Sequence, residues 1–198
     1  MLTKRLFDIL CAATGLLLLL PLFLLIAIWI RIDSPGPVFF RQERVGRFGS
    51  LFRIVKFRTM QADTQGERAQ ITVGKDPRIT RAGHLLRHYK LDELPQLLNV
   101  LTGEMSLVGP RPEVPRYVAL YPPDIRTTVL SVPPGMTDYA SIAFRNENAL
   151  LAEANDPVQT YIESIMPKKL RYCQQYVAER SFMVDIKIIV LTILALFD

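Results

Sequence analysis

From Leu6 to Ile32 the chain is polar only at Asp8, Thr14 and Arg31. This pattern predicts one long apolar helix, and about 20 apolar residues are enough to reach across a bilayer's hydrocarbon. A secretory signal would use Lys4 and Arg5 as its charged start, but no small-x-small cleavage site follows, and Trp29-Ile30-Arg31 is a poor one. A straight span conflicts with charge. Lys4 and Arg5 precede the run, Arg31, Arg41, Arg44 and Arg47 follow it, and basic flanks favour the cytoplasmic side. A re-entrant helix that enters and leaves by one face satisfies both flanks. Pro21, near the middle, removes a backbone hydrogen bond and bends a helix. Proline is also tolerated in spanning helices, so the residues alone leave span and re-entry open.

A second apolar run, Ile186 to Phe197, is too short to span. It reads either as an interfacial helix with Lys187 reaching toward headgroups or as a core helix. Between the two runs the pattern is mixed. Val38-Phe39-Phe40, after Pro35, Gly36 and Pro37, turns β-like. Ser50 to Met60 alternates apolar residues with Arg53, Lys56 and Arg58, as a strand with a basic face would. Residues 61–75 are polar and predict a loop or exposed helix. Gly83 to Tyr89 predicts a helix. Leu91, Leu94, Leu97, Leu98 and Leu101 recur at helical spacing and predict a second, from about Leu91 to Gly103. Pro134-Gly135 predicts a turn followed by an irregular segment, and residues 149–182 predict amphipathic helix broken at Pro157 and Pro167. The fold class expected is α+β, mostly helical: residues 1–32 as a membrane helix, 33–182 as a catalytic domain, and 183–198 as an apolar helix.

Composition adds a direction. The net charge is +5, and residues 1–60 carry nine Lys/Arg against three acids. Positive charge beside an apolar segment suits an anionic membrane surface or a phosphate-bearing substrate. No Lys/Arg run or nucleic-acid motif appears, so nucleic acid is not an expected partner. The two cysteines, Cys11 and Cys173, form no disulfide framework and no zinc spacing. With no Asn-x-Ser/Thr site, they suit a reducing, cytoplasmic setting.

The stretch KLDELPQ, Lys90 to Gln96, places two acids just before a proline and an apolar run. Proline is tolerated in a helix's first turn, which puts Asp92 and Glu93 at or beside the N-cap. The plain reading is a cap worth about 1 kcal/mol. A helix start also favours an ionised carboxylate and an incoming phosphate. Neighbouring helix residues point about 100° apart, so one acid can attack phosphorus while the other holds a divalent cation. Lys56, Arg58, Arg87 and Arg111 would neutralise phosphate oxygens, with Arg111 held between Pro110 and Pro112. Arg145 is a further candidate phosphate or substrate contact.

The stretches RLFDILCAATGLLLLLPLFLL, SPGPVFFRQERVGRFGSLFRIVKFRTM, DPRITRAGHLLRHYKLDELPQLLNVLTGEMSLVGPRP, PPGMTDY and SFMVDIKIIVLTI together resemble the bacterial sugar transferases, the monotopic phosphoglycosyl transferases, over nearly the whole chain. The resemblance implies transfer of a phosphosugar from a UDP-sugar to polyprenyl phosphate with release of UMP. It implies Asp92 as nucleophile, Glu93 on Mg²⁺, and Lys56, Arg58, Arg87 and Arg111 as matching basic positions. It also implies a re-entrant helix broken near Pro21, on the cytoplasmic face of the bacterial inner membrane, in a minimal catalytic form without extra membrane helices; a homo-oligomer is allowed. Direct single displacement, and a phosphate-binding scaffold without catalysis, are the alternatives. The chain departs from the family pattern at Leu20-Pro21, where some members have Ser-Pro. It departs again at Gly135 to Ser141, where many read Gly-Ile-Thr-Gly-Trp-x-Gln, and near Tyr172-Cys173-Gln174, where some carry an acid.

Overall fold

The first apolar run folds as one helix, α1, Leu2–Asp33, in a computed structural model that describes residues 2–61 and 76–195. Helical structure continues through Pro21 rather than stopping there. The proline faces outward, and the turns on either side are held from within by Leu19, Leu22 and Phe23, which pack on the rest of the protein. One face of α1 is covered at 3.6-residue intervals: Asp8, Ala12, Leu16, Leu19, Phe23, Ile26 and Ile30. The opposite face leaves Leu6, Leu10, Leu17, Leu24, Leu25 and Ile28 exposed. The helix is long and apolar enough to cross a membrane.

Both ends of α1 are bolted to the same body. At its start Lys4 Nζ donates to Asp185 at 2.6 Å and to the Val108 carbonyl at 3.1 Å. Arg5 donates to the carbonyls of Val100 and Leu101, and Asp8 accepts from Ser106 Oγ at 2.8 Å. At its end the Asp33 carboxylate accepts from the Ala82 amide at 3.0 Å. Arg58 donates to the carbonyls of Ser34 and Pro35 at 2.8 and 2.6 Å.

The body combines small sheets with helices, the α+β class expected. Strands β1, Phe39–Val45, and β2, Leu51–Phe57, form an antiparallel hairpin with Phe39 opposite Phe57 and Val45 opposite Leu51. Alternation explains the first half of β2, where Phe52 and Ile54 are buried and Leu51 and Arg53 exposed, whereas Phe57 is buried on the other face at the strand's end. Helix α2, Arg81–His88, is capped by Thr80, whose hydroxyl accepts from the Gly83 amide. A 3₁₀ turn, Leu91–Gln96, leads into α3, Leu97–Thr102, which ends at Gly103 in the left-handed region, φ 94°. The predicted helix from Leu91 to Gly103 is therefore two short pieces, the first wound tighter around Pro95.

The segment after Pro134, expected to be irregular, is ordered. Strand β3, Ser106–Val108, pairs in parallel with β4, Gly135–Thr137. Between them lie α4, Pro115–Val118, and α5, Pro123–Val129; α6, Tyr139–Ala143, and α7, Glu147–Ala152, follow. Pro157 opens α8, Pro157–Thr160, and Pro167 lies in the first turn of α9, Met166–Glu179. A π turn, Tyr161–Ile165, joins these two helices. The second apolar run belongs to α10, Phe182–Ala195, which buries Ile188 and Asp185 and exposes Met183, Val190, Ile193 and Leu194. The polar stretch from 62 to 75 lies outside the described residues.

β3 and β4 approach so closely that a Cβ on Gly135 would stand 2.1 Å from the Gly109 nitrogen and 2.3 Å from its oxygen. Gly135→Ala is expected to cost about 1–3 kcal/mol through overpacking, read as a lower melting temperature and a smaller denaturation midpoint.

Candidate active site

The carboxylates of KLDELPQ do not cap a helix. Lys90 occupies the N-cap position at φ 56°, and no side chain there bonds a backbone amide. Asp92 and Glu93 lie in the first turn, where the tight winding sends them apart. Their surroundings differ sharply. Glu93 Oε1 accepts from Lys56 Nζ at 2.8 Å, and its Oε2 accepts from Arg111 Nη1 at 2.9 Å. Arg111 Nη2 also donates to Oε1, so the guanidinium grips the carboxylate by two parallel bonds. Asp92 has neither partner. It is buried to 8 % exposure, and no hydrogen bond to its carboxylate is formed among the described residues.

Charge follows geometry. Burial opposes ionisation of Glu93, but the charges of Arg111 and Lys56 and their hydrogen bonds outweigh it, holding its carboxyl well below the usual range. Burial, and then the neighbouring Glu93 charge, push Asp92 upward, while Lys56, Arg87 and Lys90 pull it back. Burial lowers the Lys56 ammonium, and the charges of Glu93 and Asp92 restore part of the loss. The Glu93 charge raises Arg111 above its ordinary value.

Three of the expected cations are gathered here. Lys56, next to last in β2, and Arg111, between two prolines after β3, bind Glu93 directly. Arg87, on α2, donates through Nε to Thr59 Oγ1 at 2.8 Å, and its charge interacts with Asp92. The other two expected contacts stand elsewhere. Arg58 is buried to 5 % exposure against the end of α1, its head given to backbone carbonyls. Strand β2 ends at Phe57, so Arg58 does not continue the face that carries Lys56. Arg145 donates to the Ala195 carbonyl of α10 at 3.1 Å.

Two residues not singled out from the sequence support this set. Thr59 holds Arg87, and Asp138 accepts from the Arg111 amide at 3.2 Å. Both lie inside stretches that stand out in the sequence, KFRTM and PPGMTDY, but as small polar residues they carry no pattern of their own.

Two acids and three cations give this cluster a positive surplus. Among the described residues no group of three or more His, Cys, Asp or Glu could hold a metal by itself. The donors suit Mg²⁺ only in its shared mode, with one or two carboxylates plus phosphate oxygens of a substrate. Asp92 has a carboxylate open for that use, whereas both Glu93 oxygens are engaged.

A buried aspartate with Lys56, Arg87 and Lys90 acting on it, in a protein that carries a long apolar helix, defines a phosphate-handling site beside a membrane-type segment. The family model described as bacterial sugar transferase matches residues 1–198, and the chain belongs to that family. It is 38% identical over 195 residues to the UDP-glucose:undecaprenyl-phosphate glucose-1-phosphate transferase of Escherichia coli (strain K12), covering 97% of this chain and 39% of that protein. The protein of the same description from Xanthomonas campestris pv. campestris is 41% identical over 96% of this chain and 37% of its own length. The UDP-N-acetylgalactosamine-undecaprenyl-phosphate N-acetylgalactosaminephosphotransferase of Aeromonas hydrophila is 38% identical over 96% of this chain and 42% of its own length. The chain thus spans about two fifths of each of these relatives.

The two acids are expected to respond oppositely to neutralisation. A raised folded pKa means that ionised Asp92 costs stability above its unfolded value, so Asp92→Asn should melt higher than the parent at pH 7. That gain should vanish below about pH 3, where the acid is protonated in both states. Glu93 has a depressed folded pKa, so its contribution is present above the unfolded value and is lost as pH falls through the folded one. Glu93→Gln leaves Lys56 and Arg111 short of a counter-charge and should cost about 3 kcal/mol at pH 7. Melting temperatures of both variants across pH check the pair.

Proposed function

We propose that the chain transfers a phosphosugar from a UDP-sugar to polyprenyl phosphate, releasing UMP and leaving a polyprenyl diphosphate sugar. The observation that carries this reading is the division of labour in the dyad: Glu93 is consumed by Lys56 and Arg111, while Asp92 accepts no hydrogen bond among the described residues. The relatives' descriptions, with UDP-sugar donors and an undecaprenyl phosphate acceptor, supply the substrate classes.

In the first step an Asp92 oxygen forms a bond to the sugar-proximal phosphorus as the bond from that phosphorus to the bridging oxygen breaks. The electron pair leaves with UMP. Arg87, Lys56 and Arg111 offset charge on the diphosphate beside a buried carboxylate. In the second step a phosphate oxygen of the polyprenyl acceptor attacks the same phosphorus, and Asp92 leaves as a carboxylate. No proton need move in either step. Covalent catalysis lets one site serve a water-soluble donor and a lipid acceptor in turn. Mg²⁺, held by Asp92 and the diphosphate, would neutralise phosphate charge as a Lewis acid when bound.

The same reading places α1 in the cytoplasmic face of a bacterial inner membrane as a re-entrant helix. Both of its ends are bonded to one body, its outward face is apolar, and both flanks are basic. The exposed apolar residues of α10 suit the same interface.

Two measurements test this. A panel of UDP-sugars, with Mg²⁺ and polyprenyl phosphate in vesicles, should include one that gives UMP release. Asp92→Asn should lower that release by at least about 10³-fold. Background release with every donor would favour a non-catalytic scaffold instead. Single cysteines at Leu2 and Ile32 in a Cys11→Ser, Cys173→Ser background should react with a membrane-impermeant maleimide from the same side. Labelling from opposite sides would mark a straight span.

A further inference from the structure

Resting on that reading of the site, we propose that Asp138 is a positioning residue for Arg111, acting through its backbone. Pro110 and Pro112 have no N–H. The Arg111 amide is therefore the one backbone donor by which the Pro-Arg-Pro turn can be anchored, and it donates to Asp138 Oδ2 at 3.2 Å. The rest of the turn is fixed from the same side. Gly109 N donates to the Thr137 carbonyl at 3.1 Å, and Gly135 N donates to the Pro110 carbonyl at 3.0 Å. With the β3–β4 pairing, these bonds weld the turn to the strand that leads directly into Asp138.

Asp138 is itself held hard. It is buried to 1 % exposure, and its Oδ1 accepts from the Ser141 amide at 2.7 Å, which caps the start of α6. The Cys173 thiol lies 3.7 Å from Oδ2. A buried carboxylate survives only with donors around it, and Asp138 has three from three separate parts of the chain. Its negative charge also acts favourably on the Arg111 guanidinium. Arg111 is thus fixed at both ends, by Asp138 at its amide and by Glu93 at its head. The consequence is a guanidinium set in place before the diphosphate arrives.

The two jobs of Asp138 can be separated. Asp138→Ser keeps a side-chain oxygen able to cap α6 but too short to reach the Arg111 amide. Asp138→Asn leaves one of the two amide donors facing an NH₂ group and supplies the same comparison if the serine variant does not keep the parent's melting profile. In the proteoliposome enzyme, Asp138→Ser should lower kcat/KM for UMP release by about 10–100-fold, the scale of a displaced charge clamp. In an Arg111→Ala background the same change should cost less than about twofold, because residues acting as one unit are not additive. Equal losses in both backgrounds, or near-parental turnover of Asp138→Ser, would overturn the proposal. An arm free of turnover uses ¹⁵N-arginine labelling. The Arg111 Nη protons should be resolved and slow to exchange in the parent, and should lose that protection in Asp138→Ser. Unchanged protection overturns the proposal, whereas a parent inactive on every UDP-sugar counts against the enzymatic reading and leaves this arm to decide Asp138.

Discussion

The two-bond grip of Arg111 on Glu93, with Lys56 at the third point, is the constraint around which the site is arranged. A carboxylate in so enclosed a place keeps its charge only if opposite charge and hydrogen bonds replace lost water. Here Glu93 takes those partners. Asp92, one residue earlier in a tight turn, has charge nearby but accepts no hydrogen bond among the described residues. An acid in that condition is unstable relative to one in water and open to a stronger partner. Phosphorus already bonded to electron-withdrawing oxygens is such a partner, and the ring of cations lowers the repulsion between a carboxylate and a diphosphate.

The long apolar helix gives this cluster its frame. Its first turns bond to the end of α3 and to β3, the elements that flank the dyad and Arg111. Its last residues bond to Arg58 and to the start of α2, next to Thr59 and Arg87. Arg58 therefore serves the site at one remove, by closing the carbonyl end of α1, where a cation also meets the negative end of the helix dipole. On the proposed re-entrant placement, a helix exposed on its outer side and bonded at both tips would tie the depth of the protein in a bilayer to the position of the dyad.

Much of this was readable from residue order, and the failures are physical. The apolar helix follows from composition, strand β2 from its apolar–basic pattern, and the leucine spacing marks the segment around Asp92; the pairing of β2 with β1 is not predicted. The proline spacing predicts the dyad at or beside the N-cap, whereas Lys90 takes that position in the left-handed region, a backbone property with no sequence signature outside glycine and asparagine. Lys56 and Arg58, two residues apart, predict one basic strand face, which holds only while the strand lasts, and it ends at Phe57. The β3–β4 pair joins three residues to three across Ser106 and Gly135. So short a parallel ladder leaves no period to detect, and with it the role of Asp138 stayed hidden.

The proposed mechanism makes one direct chemical claim: Asp92 becomes covalently bonded to phosphorus midway through turnover. Incubating the protein with its UDP-sugar and Mg²⁺ in the absence of polyprenyl phosphate, then quenching and sequencing the peptide that spans Leu91 to Gln96 by mass spectrometry, tests it directly. The account predicts a phosphosugar on Asp92, one equivalent of UMP per site, and loss of the adduct when acceptor lipid is added. An unmodified peptide from a preparation that turns over normally once lipid is supplied would contradict it and would mark a direct, single-displacement transfer.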